Sequence, residues 1–264
     1  MTWLIELNRD IRYEQLQGFD PNWILLGITV DHFRDDMTDY SLTSPHLQRH
    51  DDAAVAVTAA RDLSLLINGV FSVFGVEPIL HLAAHRMLRD EPRAIVGRFS
   101  AWPTGPDFTM PYSALDDRWR RWRRTDRRFR TTESGNFCAL CLHSEKIRNI
   151  ALTFGYLGMN WISLSSTLEH LGFSDQGMID RYDVTRAQLR AFQGTANNFS
   201  ILGPAARHGA QRRAPPREIT TLAAARELVM DMVRKEAQIL AQEPDFIKAM
   251  ITIHPAGGEL ADTR

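Results

Sequence analysis

The sequence predicts an α+β fold in which an N-terminal mixed α/β module is followed by an all-helical bundle. Short β-favouring runs separated by turn signals occupy the first part of the chain, and strand signals nearly vanish beyond the Pro- and Gly-rich segment 103–112. We therefore expect an α+β module over residues 1–110, a helical bundle over 113–245 and a flexible tail over 246–264.

The N-terminal module is expected to hold several short strands and one helix. Asp51 and Asp52 precede an Ala-rich stretch with helical spacing, which predicts a helix over 53–66. The apolar runs bounded by turn signals predict strands at 3–7, 23–30, 70–74, 79–82 and 94–99.

The bundle is expected to hold four helical stretches. Thr220 or Thr221 can cap the last of them, which Pro244 stops near residue 242. The long apolar stretch is expected to break near Gly155 or Gly158. The predicted stretches are 116–130, 137–171, 184–197 and 221–242.

Composition points to a cytoplasmic protein without a membrane partner. The 264 residues have a formal net charge of -1, so no global charge draws the chain to nucleic acid or to an anionic membrane. Only two cysteines are present, which is unlike a secreted disulfide scaffold. The first residues lack the features of a signal peptide, and no apolar run approaches the roughly 18 residues of a membrane span.

An arginine-rich segment, residues 118–130, is a candidate nucleic-acid interface. It contains eight arginines and one acidic residue, Asp126, with Trp119, Trp122 and Phe129 along one helical face. Guanidinium groups match phosphates and indole rings stack on bases, so RNA binding is expected at four arginines. The alternative is a solvated charged face above an aromatic core. The four are Arg118, Arg121, Arg124 and Arg128.

No metal or cofactor is expected. Cys138 and Cys141 have the spacing of two zinc ligands, but a structural zinc site needs four and no second pair exists. Both thiols are expected to pack as small apolar groups on one helical face. The sequence also lacks a hydrolase nucleophile elbow, a phosphate-binding loop and a dinucleotide fingerprint.

The candidate for chemistry is the segment from Thr195 to Gly209. Arg207 is a fixed cation suited to a phosphate, and His208 can move protons near neutral pH. The neighbouring Asn198 could orient a ligand or the imidazole, which makes these three the candidate catalytic residues. In the alternative, Asn197 or Asn198 caps the C-terminus of a helix and His208 bonds to a neighbouring backbone carbonyl, without chemistry.

Two segments resemble an uncharacterised bacterial family. The run from Asn160 to Glu169 is similar to a helix of the pattern dW-x-x-LYK-x-xE. Residues 189–209 resemble a segment lr-x-F-x-x-TAN…G-x-x-ARHG, which leads through Pro215 and Pro216 into a last helix. The helical part of that family looks like HEPN domains, small bundles of RNA-targeting toxin and phage-defence systems.

The resemblance implies a role that involves RNA. Whether it also implies catalysis depends on how many of the family's motif residues are present in this sequence. HEPN ribonucleases use an arginine, often followed by asparagine, and a histidine a few positions later, at a site formed across a dimer. Here only His208 and Gly209 match, Arg207 is adjacent to the histidine, and Ser165 and Ser166 replace the Tyr-Lys pair. The expectation is a defence- or toxin-type accessory that binds RNA or a protein partner, forms a homodimer and does not catalyse. The alternatives are a metal-independent endoribonuclease and a purely structural interaction or dimerisation module.

Overall fold

The structure is a computed structural model that describes residues 3–7, 27–34, 37–44, 46–47, 50–77, 85–89, 94–99, 132–209 and 214–247. The strands within these residues are β1 Trp3–Glu6, β2 Gly27–Arg34, β3 Met37–Thr43, β4 His85–Arg89 and β5 Ala94–Phe99. The helices are α1 Ala53–Val73, α2 Glu133–His143, α3 Glu145–Leu157, α4 Trp161–Leu171, α5 Asp175–Tyr182, α6 Arg186–Ala196, α7 Phe199–Leu202 and α8 Leu222–Leu240. A 3₁₀ turn, Gly203–Ala205, follows α7.

The five strands form one sheet in the order β2-β3-β1-β4-β5, with every neighbouring pair antiparallel. β1 and β5 coincide with expected strands, whereas β3 and β4 were not predicted. The strand expected at 79–82 and the boundary at 103–112 lie outside the described residues. The α+β module over 1–110 stays a prediction, because many of its residues lie outside those ranges.

The prediction of a strand at 70–74 is wrong, because α1 continues to Val73. The cause is a close crossing of α1 and α3. A Cβ on Gly69 would overlap the carbonyl oxygen of Ala151, and a Cβ on Gly155 would overlap that of Leu65. The backbones therefore touch where both glycines lie, so each glycine serves packing rather than a turn. The β-favouring residues around Gly69 are buried in this helix, and burial rather than strand pairing explains them.

The stretch expected at 137–171 is helical, with breaks at Ser144 and Gly158. Ser144 caps α3 by accepting a hydrogen bond from the amide of Ile147 at 3.4 Å. Gly158 ends α3 with a positive φ of 67° and donates its amide to the carbonyl of Phe154. Of the two expected break points, Gly158 is therefore the one used.

The later helices begin at side-chain caps. Thr185 and Gln188 form a capping box at α6, within the expected stretch 184–197. The hydroxyl of Thr221 accepts from the amide of Ala224 at 3.2 Å, which confirms the predicted start of the last helix. α5 was not predicted, and the expected helix 116–130 lies outside the described residues.

Two compact units divide the chain. One comprises Met1–Ser64, Leu80–His143 and Leu240–Arg264, and the other Leu65–Ile79 and Ser144–Ile239. The second unit, which we call the helical unit, contains α3 to α7, most of α8 and the end of α1. The predicted limits at 110, 113 and 245 stay predictions, because residues 100–131 and 248–264 lie outside the described ranges.

One described helix is long and apolar enough, by length and composition alone, to cross a membrane. It is the Ala54–Val73 part of α1, an apolar stretch that Arg61 and Asp62 interrupt. Most of this stretch is buried within the protein, and buried core helices pass the same test. It is therefore weak evidence for a membrane span, and the cytoplasmic location stays a prediction.

Candidate functional site

The segment 195–209 connects α6 to the chain that leads to α8, and contacts at its start hold that connection. The Thr195 hydroxyl donates to the carbonyl of Ala191 at 2.8 Å and accepts from the amide of Thr220 at 3.0 Å. Pro216 packs over Gly194, where a Cβ would lie 2.7 Å from the proline Cβ. Thr195 and Gly194 therefore hold the end of α6 against the stretch of chain that precedes α8.

Asn198 is fully engaged in this connection. Its side chain is buried, caps α7 by accepting from the Ser200 amide at 3.0 Å, and accepts from the Ser200 hydroxyl at 2.6 Å. Its amide group donates to the carbonyl of Ala214 at 3.3 Å. Oxygen and nitrogen of the side chain thus both serve local structure, and Asn198 caps the start of a helix rather than the C-terminus that the alternative expected.

Arg207 is held by both its backbone and its side chain. Its amide donates to the carbonyl of Ala196 at 2.9 Å, which folds the segment back onto the end of α6. Its guanidinium donates to the carboxylate of Glu169 on α4. The two side chains are 33% and 57% exposed, so this ion pair lies at the surface of the helical unit. The guanidinium that was expected to face an anion has a carboxylate of the protein itself as partner.

His208 follows Arg207 in the sequence, and Asn197 follows the residue that accepts from the Arg207 amide. His208 is half-buried, and the described part of the chain gives its ring no hydrogen-bond partner. Asn197 caps the C-terminus of α6, and among the described residues its buried side-chain oxygen has no partner. Of the three candidate residues, Arg207 and Asn198 are both engaged with other residues of the protein. The catalytic role of the three stays a prediction.

Two residues of α4 lie close to Glu169 in sequence. Ser165, one helical turn earlier, is 4% exposed, and its hydroxyl has no partner among the described residues. His170 lies 3.4 Å from the Thr153 hydroxyl through its Nε2 atom. Burial lowers the pKa of His170 below its usual value, which favours the neutral ring near pH 7.

A second polar cluster lies inside the helical unit around Glu236 of α8. This carboxylate is 0% exposed and accepts from Lys146 Nζ at 2.9 Å. It also accepts from Arg181 Nε at 2.6 Å and from the Tyr182 hydroxyl at 3.2 Å. Three donors from α3 and α5 thus satisfy one buried charge, which is the condition under which such burial is tolerated.

Phe173 completes the Glu236 cluster. The Lys146 ammonium lies 5.0 Å and the Arg181 guanidinium 4.9 Å from its ring centroid, within the range of cation–π attraction. Both cations are partly exposed, at 32% and 29%. The cluster ties α8 to α3 and α5 and leaves the carboxylate without open coordination, so we assign it to stability.

The pKa shifts follow from this arrangement. Burial alone would raise the pKa of Glu236, but the hydrogen bonds and charges of Arg181 and Lys146 outweigh it and hold the pKa below its usual value. Burial, with the nearby Glu236 charge, raises the pKa of the Tyr182 phenol. The hydrogen bond to Glu236 raises the pKa of Arg181. At neutral pH the cluster holds one carboxylate, two cations and a protonated phenol.

The structure describes only some of the residues of the other predicted sites. Cys138 and Cys141 are buried on α2, as expected of small packing groups. Within the described ranges, no three side chains capable of binding a metal come together. The arginines proposed to bind nucleic acid lie outside those ranges; they are Arg118, Arg121, Arg124 and Arg128.

Sequence reasoning gave no role to Glu169 and missed Glu236. Glu169 was noticed only as the end of a resembling motif, and its partner lies 38 residues away. Glu236 had a local signal, because it follows Val229, Met232 and Val233 on the buried stripe of α8. A charged residue on an apolar stripe requires partners, and that pattern could have identified it.

Comparison with family models, with curated proteins and with solved structures gives no match to this chain. No family is assigned. The HEPN-like resemblance stays a prediction, and the geometry of the 195–209 segment carries the functional argument.

Proposed function

We propose that the chain is a binding protein without catalysis, in which an N-terminal α+β module is joined to a HEPN-like helical bundle. RNA is its proposed partner, taken up through the arginine-rich segment 118–130. In this proposal the 195–209 segment shapes the bundle and does not cleave the bound strand.

One observation supports the proposal that the protein does not catalyse a reaction. Arg207 already donates to Glu169, and Asn198 already serves Ser200 and Ala214. A ribonuclease site needs a cation and a proton-transfer group that are free to meet a phosphate and a 2′-hydroxyl. Of the three candidate residues, only His208 lacks such a commitment among the described residues. This distribution favours binding over cleavage.

The test of RNA binding is a mobility shift with a short labelled RNA at several salt concentrations. Phosphate contacts release counterions, so affinity is expected to fall steeply with salt. The double variant Arg121→Glu with Arg124→Glu reverses two charges of the segment and should abolish the shift. The matched control is Arg234→Glu with Arg190→Glu, two arginines of the helical unit, which should retain most of it.

Two outcomes would contradict this proposal. Binding that is absent or insensitive to salt would remove the nucleic-acid part. Cleavage of labelled RNA in the presence of EDTA, abolished by His208→Ala, would instead support a metal-independent endoribonuclease.

A second candidate, a structural interaction module that binds no nucleic acid, is favoured by the contacts of the 195–209 segment. Thr195, Asn198 and the Arg207 amide all hold the chain to itself. If the mobility shift is absent while the protein sediments as a stable homodimer, this candidate replaces the first.

A further inference from the structure

We infer that Lys146 and Arg181 form a binding site for a phosphate group on the solvent side of the Glu236 cluster. The Glu236 carboxylate is 0% exposed and accepts from both cations, from Lys146 at Oε1 and from Arg181 at Oε2. A buried ion network holds a protein together no better than apolar side chains of similar volume. Stability alone therefore does not explain why this position carries a carboxylate, whereas the orientation of two cations does.

Arg181 is held in a way that leaves one edge of its guanidinium for another acceptor. It donates to Glu236 through Nε at 2.6 Å rather than as a fork of two nitrogens. The terminal amino groups supply further N–H donors, and their common edge matches two oxygens of a phosphate. The side chain is 29% exposed, so an anion from solvent has access to it.

Lys146 is the second cation of the site. Its ammonium donates to Glu236 at 2.9 Å, which leaves donors unused, and its side chain is 32% exposed. Lys146 and Arg181 also contact the same ring, since they lie 5.0 Å and 4.9 Å from the centroid of Phe173. Two shared contacts thus hold the cations near each other, and one anion can meet both.

The charges of the site favour an anion. Lys146 and Arg181 each carry a positive charge, and Glu236 supplies a single negative charge. Within the described part of the chain, no other carboxylate forms an ion pair with either cation. One positive charge is therefore left over beside an apolar ring. A phosphate group has oxygens for the guanidinium fork and a further oxygen for the ammonium, whereas a carboxylate has only the first pair.

The inner side of the site is rigid before any ligand binds. Tyr182 is fully buried, donates to Glu236 at 3.2 Å and packs edge-on against Phe173, with the ring centroids 5.9 Å apart. The carboxylate and the ring that position the two cations are therefore themselves fixed. Such preorganisation lowers the cost of ordering the cations when an anion binds.

The ligand class is a phosphate group, either free or within the RNA backbone, and only the second source rests on the proposed function. The site uses no arginine of segment 118–130 and neither Arg207 nor His208. The ion pair of Arg207 with Glu169 therefore stays as described when a phosphate binds here.

The experiment is a titration of the full chain with inorganic phosphate at constant ionic strength, followed by phosphorus NMR. Lys146→Gln removes one charge but keeps a donor for Glu236, and Arg181→Lys keeps the charge but removes the fork of donors. Each should raise the Kd for phosphate about tenfold, the effect of one lost charge-assisted hydrogen bond. The matched control is Arg234→Gln on α8, about 200° around the helix from Glu236, which should leave the Kd unchanged. Acetate should bind the wild type more weakly than phosphate does.

Three results would overturn the inference. They are the absence of saturable phosphate binding, an equal affinity for acetate, and an equal Kd for the wild type, Lys146→Gln, Arg181→Lys and Arg234→Gln. Urea unfolding of each variant separates a loss of binding from a loss of fold. If Lys146→Gln does not fold, Arg181→Lys decides, because both cations then remain beside Glu236.

A parallel RNA titration distinguishes the two sources of phosphate. Weaker binding of both phosphate and RNA by Lys146→Gln indicates a phosphate of the RNA backbone, whereas weaker binding of phosphate alone indicates a free phosphate ligand. The proposed function is tested by Arg121→Glu with Arg124→Glu. Those arginines are not part of this site, so the two proposals fail separately.

Discussion

Glu169 on α4 and Arg207 at the end of the 195–209 segment form an ion pair across 38 residues of sequence. The two residues belong to the two separate motifs that carry the family resemblance. Each of the two segments therefore supplies half of one contact.

The coupling between Glu169 and Arg207 should be small. Both side chains are substantially exposed, so solvent screens the attraction, and the expected coupling energy is about 0.2–1 kcal/mol. A double-mutant cycle with Glu169→Ala and Arg207→Ala, measured by urea unfolding in low and high salt, would give it. A value above about 2 kcal/mol would mean that the pair makes a structural contribution larger than an exposed ion pair supplies.

Asn198→Ala should destabilise the protein by about 1–3 kcal/mol, because it removes the cap of α7 and leaves the Ala214 carbonyl without this donor. The neighbouring Asn197→Ala is the control. Its side-chain oxygen has no partner among the described residues, so this variant should be near neutral. Thermal unfolding of both variants tests the difference, and equal losses would argue against a structural role specific to Asn198.

Gly69→Ala and Gly155→Ala should each cost about 3 kcal/mol or more, because a methyl group at either position overlaps a carbonyl oxygen of the facing helix. Gly209→Ala is the matched substitution, since a Cβ there meets nothing within 4 Å. We expect its urea midpoint to equal that of the wild type. Wild-type stability for Gly69→Ala would show that α1 and α3 do not cross at this point.

Glu236 should make stability depend on pH in the acid range. Its pKa is lower in the folded protein than its ordinary value of 4.5, so its contribution is complete above about pH 4.5 and is lost as the pH falls through the folded value. Glu236→Gln should therefore cost about 1–3 kcal/mol at pH 7 and progressively less as the pH falls below 4.5. Urea unfolding at several pH values measures this convergence.

The exposed Glu227→Gln serves as the control for Glu236, and its stability should follow that of the wild type at every pH. If the Glu236→Gln difference instead stays constant from pH 7 down to strong acid, the pKa of Glu236 does not differ between the folded and the unfolded protein. Lys146 and Arg181 would then not favour the charged form of this carboxylate as described.

Local chemistry made several helix limits predictable from the sequence. Thr221 and Gly158 form hydrogen bonds with residues three or four positions away, so the residues that set these helix limits lie close together in the sequence. Contacts between distant residues had no such signal. Glu236 meets Lys146 across 90 residues, and only the three-dimensional packing brings them together.

The prediction for Gly69 and the apolar run after it was wrong for the same reason: their structure depends on contacts with distant residues. Gly69 follows asparagine and resembles a turn signal, but its role depends on Ala151 in another helix. Val70 and Phe71 are β-favouring by type and helical here, because tertiary burial decides short apolar runs. Arg207 and His208 were selected as candidates from their residue types and their adjacent positions. The Glu169 carboxylate that pairs with Arg207 could not be identified in that way.

The crossing of α1 and α3 has a practical consequence for anyone who wishes to produce the bundle alone. A fragment cut at residues 113 and 245 would omit α1 and uncover the flat strip of α3 around Gly155. Such a strip has no side chain to shield its backbone, so the shortened protein would be prone to associate with itself. A soluble version of the helical unit must carry residues 65–79 along, supplied as a separate peptide or spliced ahead of Ser144.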